Sequence, residues 1–151
     1  MSTPDAASAI NTMHQGTWAG ELGLVVESAT RDAVTGTVVV RPGHRQPHGI
    51  VHGGVYAGIV ETLASVGAAV DAMGKGKHVV GLENHTSFVR AVREGTLRAT
   101  ATPLTRGRRS QLWEVTIRNE EQAIVATGRV RLLVLEPDAE VAGTAIASKD
   151  G

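Results

Sequence analysis

Residues 46–73 read QPHGIVHGGVYAGIVETLASVGAAVDAM. Pro47 and Gly49 indicate that this stretch begins as a loop, because neither residue favours a continuing helix. The remainder predicts one long helix that starts near Gly53 and ends at the Gly-Lys-Gly sequence after Met73. Six apolar residues at helical spacing predict one buried face of this helix: Val55, Ile59, Leu63, Val66, Val70 and Met73.

The opposite face of the predicted helix carries small residues and one acid, Glu61. Glycine inside a helix costs roughly 1 kcal/mol relative to alanine, so Gly58 and Gly67 indicate that some group approaches the helix closely, and the face has room for a ligand or a partner backbone. The residues that share this face are Gly54, Ala57, Gly58, Glu61, Ala64, Ser65 and Ala68. Glu61 is therefore a candidate catalytic carboxylate, and the alternative is a structural carboxylate paired with an arginine.

The predicted start of the helix, His52-Gly53-Gly54, offers free backbone N–H groups at the positive end of the helix dipole. Such groups bind an anion or polarise a carbonyl oxygen. Glu61 lies about 12 Å further along the axis at 1.5 Å rise per residue. A ligand that enters at the helix start could span part of that distance.

Four segments resemble one known family. H-G-G-x6-E follows Q-P-H-G-I-V, and further segments read VVGLENHTSFVR (79–90), VREG (92–95) and PLTRGRRSQLWEV (103–115). Together they resemble the hotdog-fold acyl-CoA thioesterases, in the branch of the Arthrobacter-type 4-hydroxybenzoyl-CoA thioesterases and the 1,4-dihydroxy-2-naphthoyl-CoA hydrolases. The likeness runs from Leu22 to Val134. It implies a curved antiparallel sheet round a central helix, an acyl-CoA substrate and no cofactor.

The resemblance implies roles for five residues in thioester hydrolysis. Glu61 would act as nucleophile or general base, and the Gly53 N–H would polarise the thioester carbonyl. His52 would orient the loop or bind the thioester, Gln46 would lie near the thioester and the attacking water, and Ser65 would orient the carboxylate or the water. Structural roles remain the alternative for each residue.

The resemblance also implies a binding site for the phosphates of coenzyme A. Arg90 and Arg109 match basic positions of the family, whereas Arg108 replaces a small hydroxyl residue and precedes Arg109 and Ser110 on a predicted hairpin. Clustered arginines suit phosphate groups through their forked donors. The predicted basic set comprises Arg90, Arg93, Arg106, Arg108 and Arg109. The alternative is a solvated basic hairpin.

Aromatic residues and the last strand bear on the acyl pocket and on assembly. Phe88, Tyr56 and Trp113 would line an acyl pocket or simply belong to the core. The last predicted strand, 124–135, ends in apolar residues. They predict that this edge of the sheet is covered and does not face solvent. The resemblance implies a homo-oligomer, dimer or tetramer, in which Glu61 and Phe88 from opposite subunits face one acyl group.

A metal site is not predicted. His44, His48 and His52 would align on a helix, but Pro47 and Gly49 make a helix there improbable. The chain has no cysteine, which excludes disulfides, thiolate ligands and a cysteine nucleophile.

The predicted fold class is α+β, a hotdog fold of about six antiparallel strands round one long helix. Predicted strands cover residues 22–26, 33–40, 79–89, 95–104, 109–118 and 124–135, and a short helix covers Ala9 to Trp18. The predicted organisation is a disordered N-terminus (1–8), one domain (9–136) and a disordered tail (137–151).

Composition limits the partners. Lys plus Arg and Asp plus Glu are both 15 of 151 residues, so no global field recruits nucleic acid. We find no secretory signal and no apolar run long enough to span a bilayer, which predicts a cytoplasmic protein without membrane partners. The alternatives to a thioesterase are a non-catalytic CoA-ester sensor or binding module and, less favoured by the spacing of HGG and Glu61, a hotdog hydratase.

Overall fold

The computed structural model describes residues 5–146. In chain order the elements are α1 (Ala7–His14), α2 (Trp18–Glu21), β1 (Val25–Ala29), β2 (Val34–Val39), a 3-10 turn (Pro42–His44), α3 (Gly53–Met73), β3 (His78–Phe88), β4 (Thr96–Arg106), β5 (Ser110–Arg118), β6 (Ile124–Leu135), β7 (Glu140–Val141) and β8 (Thr144–Ala145). The six strands β1 to β6 form one antiparallel sheet in the order β1-β2-β4-β5-β6-β3. Helix α3 contacts all six strands. This architecture confirms the predicted α+β hotdog fold.

Strand β5 shows how the sheet faces the helix. Its side chains alternate between buried and half-buried positions, as the two-residue period of a strand requires. Trp113, Val115 and Ile117 are fully buried and face α3. The aliphatic residues of α3, among them Ile59 and Leu63, fill the space between helix and sheet. The core is therefore the single layer between α3 and the concave face of the sheet.

The glycines inside α3 are explained by neighbouring tryptophans of the same chain. A Cβ on Gly67 would lie 2.3 Å from the Trp113 ring, and a Cβ on Gly58 would lie 3.1 Å from Trp18 Nε1. The close approach that the glycines indicated is therefore made by side chains of the same chain. Both glycines let an indole ring pack against the helix backbone.

The margins of the sheet differ from the prediction. Strand β6, expected at a margin, lies inside the sheet between β5 and β3. The margins are β1 and β3, and β3 leaves large apolar side chains exposed at its centre and end, namely Leu82 (56%) and Phe88 (60%). An edge strand with exposed apolar residues offers unpaired backbone groups to another chain.

The terminal segments also differ in detail. Helix α1 begins before the predicted Ala9 and ends at His14, because Gly16 turns the chain with a φ of 72° before α2 starts at Trp18. In the predicted disordered tail, β7 and β8 form a short hairpin. Of the segments predicted to be disordered, residues 1–4 and 147–151 lie outside the described residues.

Helix α3 is long and apolar enough to cross a membrane by length and composition alone, contrary to the expectation that no such run exists. The fold explains its composition differently. One face of the helix packs against the sheet, and residues such as Val60, Leu63 and Ala64 have no exposed surface. Its apolar character is that of a core helix.

Candidate active site

The start of α3 is capped by His52. The His52 Nδ1 atom accepts a hydrogen bond from the Gly54 N–H at 2.8 Å. The neutral imidazole must therefore carry its proton on Nε2, which can donate to another group. Within residues 5–146 the Gly53 N–H donates to no protein acceptor. The helix start thus presents one free backbone donor at the positive end of the dipole.

Gln46 lies in the loop that leads to this helix start. Its Oε1 atom accepts the His48 N–H at 2.8 Å, and its own backbone bonds to Ile50 and Gly49 close the turn. These bonds orient the amide so that Nε2 stays available as a donor. The side chain lines a cavity of about 230 Å³ together with Gly53, Phe88 and Arg90.

Phe88 and Tyr56 form the aromatic part of that cavity. The Phe88 ring lies against the helix start, since a Cβ on Gly53 would come within 2.5 Å of it. The two ring centroids are 6.0 Å apart with planes tilted by 39°. Burial raises the pKa of the Tyr56 hydroxyl. Trp113, in contrast, is fully buried against Gly67 and belongs to the core.

Glu61 lies half-buried on the middle of α3, beside the edge strand β3. Its Oε2 atom accepts a hydrogen bond from Asn84 Nδ2 at 3.0 Å. Asn84 Nδ2 also donates to the Ala57 carbonyl, and Asn84 Oδ1 accepts from the Thr86 hydroxyl at 2.6 Å. The Oε1 atom lies against Gly81, where a Cβ would approach it to 2.4 Å. Asn84 is thus fixed on both sides and holds the carboxylate in one orientation.

Among the described residues, Glu61 forms no ion pair, so no arginine of residues 5–146 supplies the structural pair that was the alternative. Oε1 has no hydrogen-bond donor within residues 5–146. Ser65, one turn further along, makes no hydrogen bond to Glu61 in the same part of the chain. The carboxylate therefore keeps one oxygen free for a water molecule or a substrate.

The predicted site residues fall into two groups within one chain. Gln46, His52, Gly53, Phe88 and Arg90 gather at the start of α3. Glu61 and Ser65 lie further along the helix, and Glu61 is about 12 Å from Gly53 at 1.5 Å rise per residue. A single carbonyl carbon cannot contact both groups of one chain.

The predicted basic set does not form one cluster in the chain. Arg93 donates to the His48 carbonyl at 3.0 Å, and Arg106 pairs with Asp32 at 2.9 Å, so both have structural roles. Arg108 and Arg109 lie on the β4–β5 turn beside a cavity of about 440 Å³ that Leu133, Val134 and Glu136 also line. Ser110 follows as the first residue of β5, opposite Leu133.

The distance between the arginines follows from the sheet register. Arg90 lies two residues after Phe88, which pairs with Ala126. The Arg109 carbonyl accepts a hydrogen bond from the Val134 N–H beside the other end of β3. Strand β3 spans about 33 Å between these ends at 3.3 Å per residue. Arg90 therefore lies far from Arg108 and Arg109 of the same chain.

The three histidines considered and rejected as metal ligands do not converge. His44 is buried and its Nδ1 atom accepts the Arg41 N–H at 3.0 Å, while His52 caps α3. No group of three potential metal ligands occurs among residues 5–146.

Two elements of the site were missed by sequence reasoning. Asn84 holds Glu61, and Gly81 leaves room for its carboxylate, although only a strand over residues 79–89 was predicted there. The register of β3 against β6 shifts between Gly81 and Glu83, so a bulge lies between the two residues that contact Glu61. A glycine and an asparagine inside a strand were the available signal, since both are unfavourable there.

Comparisons with known proteins identify the family of this chain. Residues 48–126 match the Thioesterase superfamily. The chain is 41% identical over 136 residues to a Mycobacterium tuberculosis protein provisionally named an esterase, covering 89% of this chain and 96% of that protein. It is 33% identical over 127 residues to the 1,4-dihydroxy-2-naphthoyl-CoA hydrolase of Escherichia coli, covering 84% and 93%.

A solved structure supports the same assignment. A thioesterase from Haemophilus influenzae matches with a TM-score of 0.81 at 32% identity, covering 86% of this chain and 90% of that one. These matches confirm the resemblance that the four sequence segments indicated. Because the family model covers more than half of the chain and the relatives cover most of it, the chain belongs to the Thioesterase superfamily and is a thioester hydrolase.

Proposed function

We propose that the protein hydrolyses acyl-CoA thioesters to a free acid and coenzyme A, with Glu61 as the catalytic carboxylate. The observation that carries the proposal is the environment of Glu61. One carboxylate oxygen is held by Asn84 at 3.0 Å and no cation neutralises the group within residues 5–146. A carboxylate that is oriented but not ion-paired can accept a proton from water or attack a carbonyl carbon.

The start of α3 would supply the hydrogen-bond donors that stabilise the thioester carbonyl oxygen during attack. Attack on the thioester carbonyl develops negative charge on its oxygen. The free Gly53 N–H and the free Gln46 Nε2 donor face one cavity and would stabilise that charge. His52, as the cap of α3, would hold the loop in place.

With Glu61 as general base, the carboxylate would take a proton from water, the hydroxide would add to the carbonyl carbon, and the C–S bond would break to release coenzyme A, whose thiolate sulfur takes up the proton. With Glu61 as nucleophile, the C–S bond would break as an anhydride with Glu61 forms, and water would then hydrolyse that anhydride to the free acid.

The separation of the two halves supports a homodimeric site. Glu61 and Gly53 of one chain are about 12 Å apart on the same helix axis, which is too far for one thioester carbon. Two antiparallel copies of α3 would place Glu61 of one copy beside Gly53 of the other. The exposed edge strand β3, with Leu82 and Phe88, would supply the contact by pairing with its own copy. A tetramer of such dimers is compatible with the same site.

This assembly would also explain why Arg90 lies far from Arg108 and Arg109 within one chain. Antiparallel pairing of two β3 strands brings the Arg90 end of one copy to the His78 end of the other, near which Arg108 and Arg109 lie. Three guanidinium groups and the Ser110 hydroxyl would then flank one substrate. Forked donors of this kind suit the pyrophosphate and 3′-phosphate of coenzyme A. A cytoplasmic location, where such substrates occur, is part of the proposal.

The acyl group would lie in the cavity beside Tyr56 and Phe88, whose paired rings favour an aryl or medium-length acyl chain. A panel of acyl-CoA substrates, monitored by release of the thiol, tests the proposal. We expect turnover of at least one aryl-CoA or medium-chain acyl-CoA. Binding of CoA esters without thiol release would indicate the sensor alternative, and hydration without thiol release would indicate a hydratase.

The shared site is tested by mixing two inactive variants. Glu61→Gln and Gln46→Ala each disable every site in their own dimers. A mixed dimer carries both defects in one site and none in the other, so subunit exchange should restore about a quarter of wild-type activity. No recovery after verified exchange, or a fully active monomer in sedimentation at low micromolar concentration, would contradict the shared site.

A further inference from the structure

His48 lies at the tip of the turn between Arg45 and Val51, which form an antiparallel bridge. Both backbone groups of His48 are bonded to side chains. Its N–H donates to Gln46 Oε1 at 2.8 Å, and its carbonyl accepts from Arg93 Nη1 at 3.0 Å. The amide that is proposed to bind the thioester oxygen and the Arg93 guanidinium are therefore linked through a single residue.

Arg93 reaches this turn from the segment that follows β3, and its own backbone is tied to the turn. The Val92 carbonyl accepts the Val51 N–H at 2.8 Å. The Arg93 carbonyl accepts from Arg45 Nε at 2.8 Å. The turn leaves space for the guanidinium at Gly49, where a Cβ would lie 3.0 Å from Arg93 Nη1. Arg93 is thus fixed at its backbone and contacts the tip of the turn with its side chain.

The Arg93 contact is suited to orient a group and not to stabilise the fold. Arg93 is exposed and forms no ion pair among residues 5–146. An exposed hydrogen bond to a neutral carbonyl contributes little to folding, since water competes for both partners. The same bond removes freedom from the tip of the turn, and turnover depends steeply on the position of the groups that contact a substrate. Loss of Arg93 should therefore affect catalysis more than stability.

We propose that Arg93 is a positioning residue, which holds the His48 carbonyl and thereby orients the Gln46 amide toward the thioester oxygen. The inference rests on the proposed acyl-CoA hydrolysis and deepens it. Without Arg93, the tip of the turn rotates more freely, and the Oε1 contact that keeps Gln46 Nε2 available as a donor at the cavity weakens. Arg93 also belongs to the basic set that the sequence predicts for the phosphates of coenzyme A, and that role predicts a different kinetic effect.

The two roles are separated with an acyl-CoA that the wild type hydrolyses and the corresponding N-acetylcysteamine thioester, which lacks the nucleotide. In Arg93→Ala, kcat should fall about tenfold on both substrates with little change in KM. This loss is smaller than the roughly 10²- to 10³-fold that follows removal of an oxyanion donor itself. Arg93→Lys keeps a cationic donor and should recover most of the lost turnover. A KM that rises only for the acyl-CoA, with kcat unchanged, would assign Arg93 to the phosphates and overturn the inference.

Arg118→Ala is the matched control. Arg118 is also exposed and also donates to a turn carbonyl, that of Gln122 at 2.8 Å, but it lies on the face of the sheet that does not contact α3. Its removal should leave kcat and KM unchanged, and the thermal midpoint should shift similarly little in Arg93→Ala and Arg118→Ala. A lower midpoint for Arg93→Ala together with wild-type kcat would show a purely structural contact and overturn the inference.

A double variant tests whether Arg93 acts through Gln46. If it does, Arg93→Ala should lower the residual kcat of Gln46→Ala by less than about twofold, because the group that Arg93 orients is gone. Independent effects that multiply would overturn the inference and leave the proposed hydrolysis intact. An absence of turnover with every acyl-CoA would overturn the proposed function. Wild-type kcat in Gln46→Ala would overturn the proposed donor and this inference with it.

Discussion

Helix α3 carries two buried or half-buried carboxylates whose surroundings are opposite. Asp71, at the end of the helix, is 1% exposed and has each oxygen bonded. Arg31 lies 3.2 Å from Oδ1, while Lys75 at 2.8 Å and the Gln111 amide at 3.0 Å contact Oδ2. Glu61, in the middle of the helix, has one amide donor on one oxygen and no cation within residues 5–146.

In the proposed function, the difference separates a structural carboxylate, Asp71, from a catalytic one, Glu61. Gln111 links Asp71 to Trp113, because the Gln111 Oε1 atom accepts a hydrogen bond from the Trp113 indole N–H at 2.8 Å. Asp71 thereby anchors the ring that packs on Gly67. Paired in this way, Asp71 has no oxygen left for a substrate. Glu61 is oriented without being neutralised, which is the state that catalysis requires.

The largest effect is expected at the reactive carboxylate. Glu61→Gln preserves the size of the side chain but cannot accept a proton, so turnover of an acyl-CoA should fall by about 10³-fold. The thermal midpoint should stay close to that of the wild type. Glu27→Gln is the control, since Glu27 is an exposed carboxylate on β1 that lies 3.7 Å from Arg98. An activity of Glu61→Gln within tenfold of that of Glu27→Gln would contradict the proposal that Glu61 is the catalytic carboxylate.

The next effect concerns the structural carboxylate and should appear in stability. Asp71→Ala leaves the buried Gln111 amide unpaired, while Arg31 and Lys75 can hydrate because they are about half exposed. The loss should be about 2 kcal/mol, or roughly 6 °C in the thermal midpoint. Thermal unfolding and turnover below the transition measure both properties. A loss of turnover per folded molecule as large as that of Glu61→Gln would contradict a structural role.

A smaller effect is expected at Asn84, which positions Glu61. Asn84→Ala removes the donor to Oε2 and should lower kcat about tenfold, equal to about 1.4 kcal/mol, with little change in KM. Asn84→Asp places a like charge beside Glu61, so the acid limb of the pH–rate profile should move to higher pH. Equal pH profiles in wild type and Asn84→Asp would show that Asn84 does not act on Glu61.

Most of the fold was predictable because its signals are local. The glycines and the capping histidine define the start of α3 at Gly53, and alternating residues give the bounds of β6 as Ile124–Leu135. The order of strands was not predictable in the same way. Apolar residues in β6 indicated only that it is covered, and both a sheet neighbour and a second subunit satisfy that requirement.

The candidate site could be proposed from the sequence where its residues share one helix, and not where they come from distant elements. Glu61 and Gly53 follow from spacing along α3. Asn84 meets Glu61 across 23 residues and Gln111 meets Asp71 across 40 residues, so their pairing depends on the sheet register. The glycines Gly58 and Gly67 signalled close packing correctly, but the packing groups are tryptophans of the same chain.

The two ends of α3 should also respond differently to acid. The loop before the helix depends on a neutral histidine, His44, which is 5% exposed and accepts the Arg41 N–H at 3.0 Å. Burial lowers the pKa of His44, and the Arg41 charge lowers it further. The end of the helix depends on ion pairs of Asp71 instead. Protonation of His44 would remove an acceptor and place two cations together.

The sign of the pH effect follows from the lowered pKa. The unfolded chain, with an ordinary histidine pKa of 6.5, binds a proton before the folded chain does. The stability that His44 contributes is therefore full above about pH 6.5 and is lost as pH falls through the lower folded value. His44→Gln keeps an acceptor for Arg41 but does not titrate, so its thermal midpoint should fall less between about pH 7.5 and 5. Burial also lowers the pKa of His14, which contributes to the pH dependence of the thermal midpoint in both the wild type and His44→Gln. The prediction is therefore tested by the difference between these two proteins. A pH dependence of the thermal midpoint in His44→Gln equal to that of the wild type would contradict the assignment.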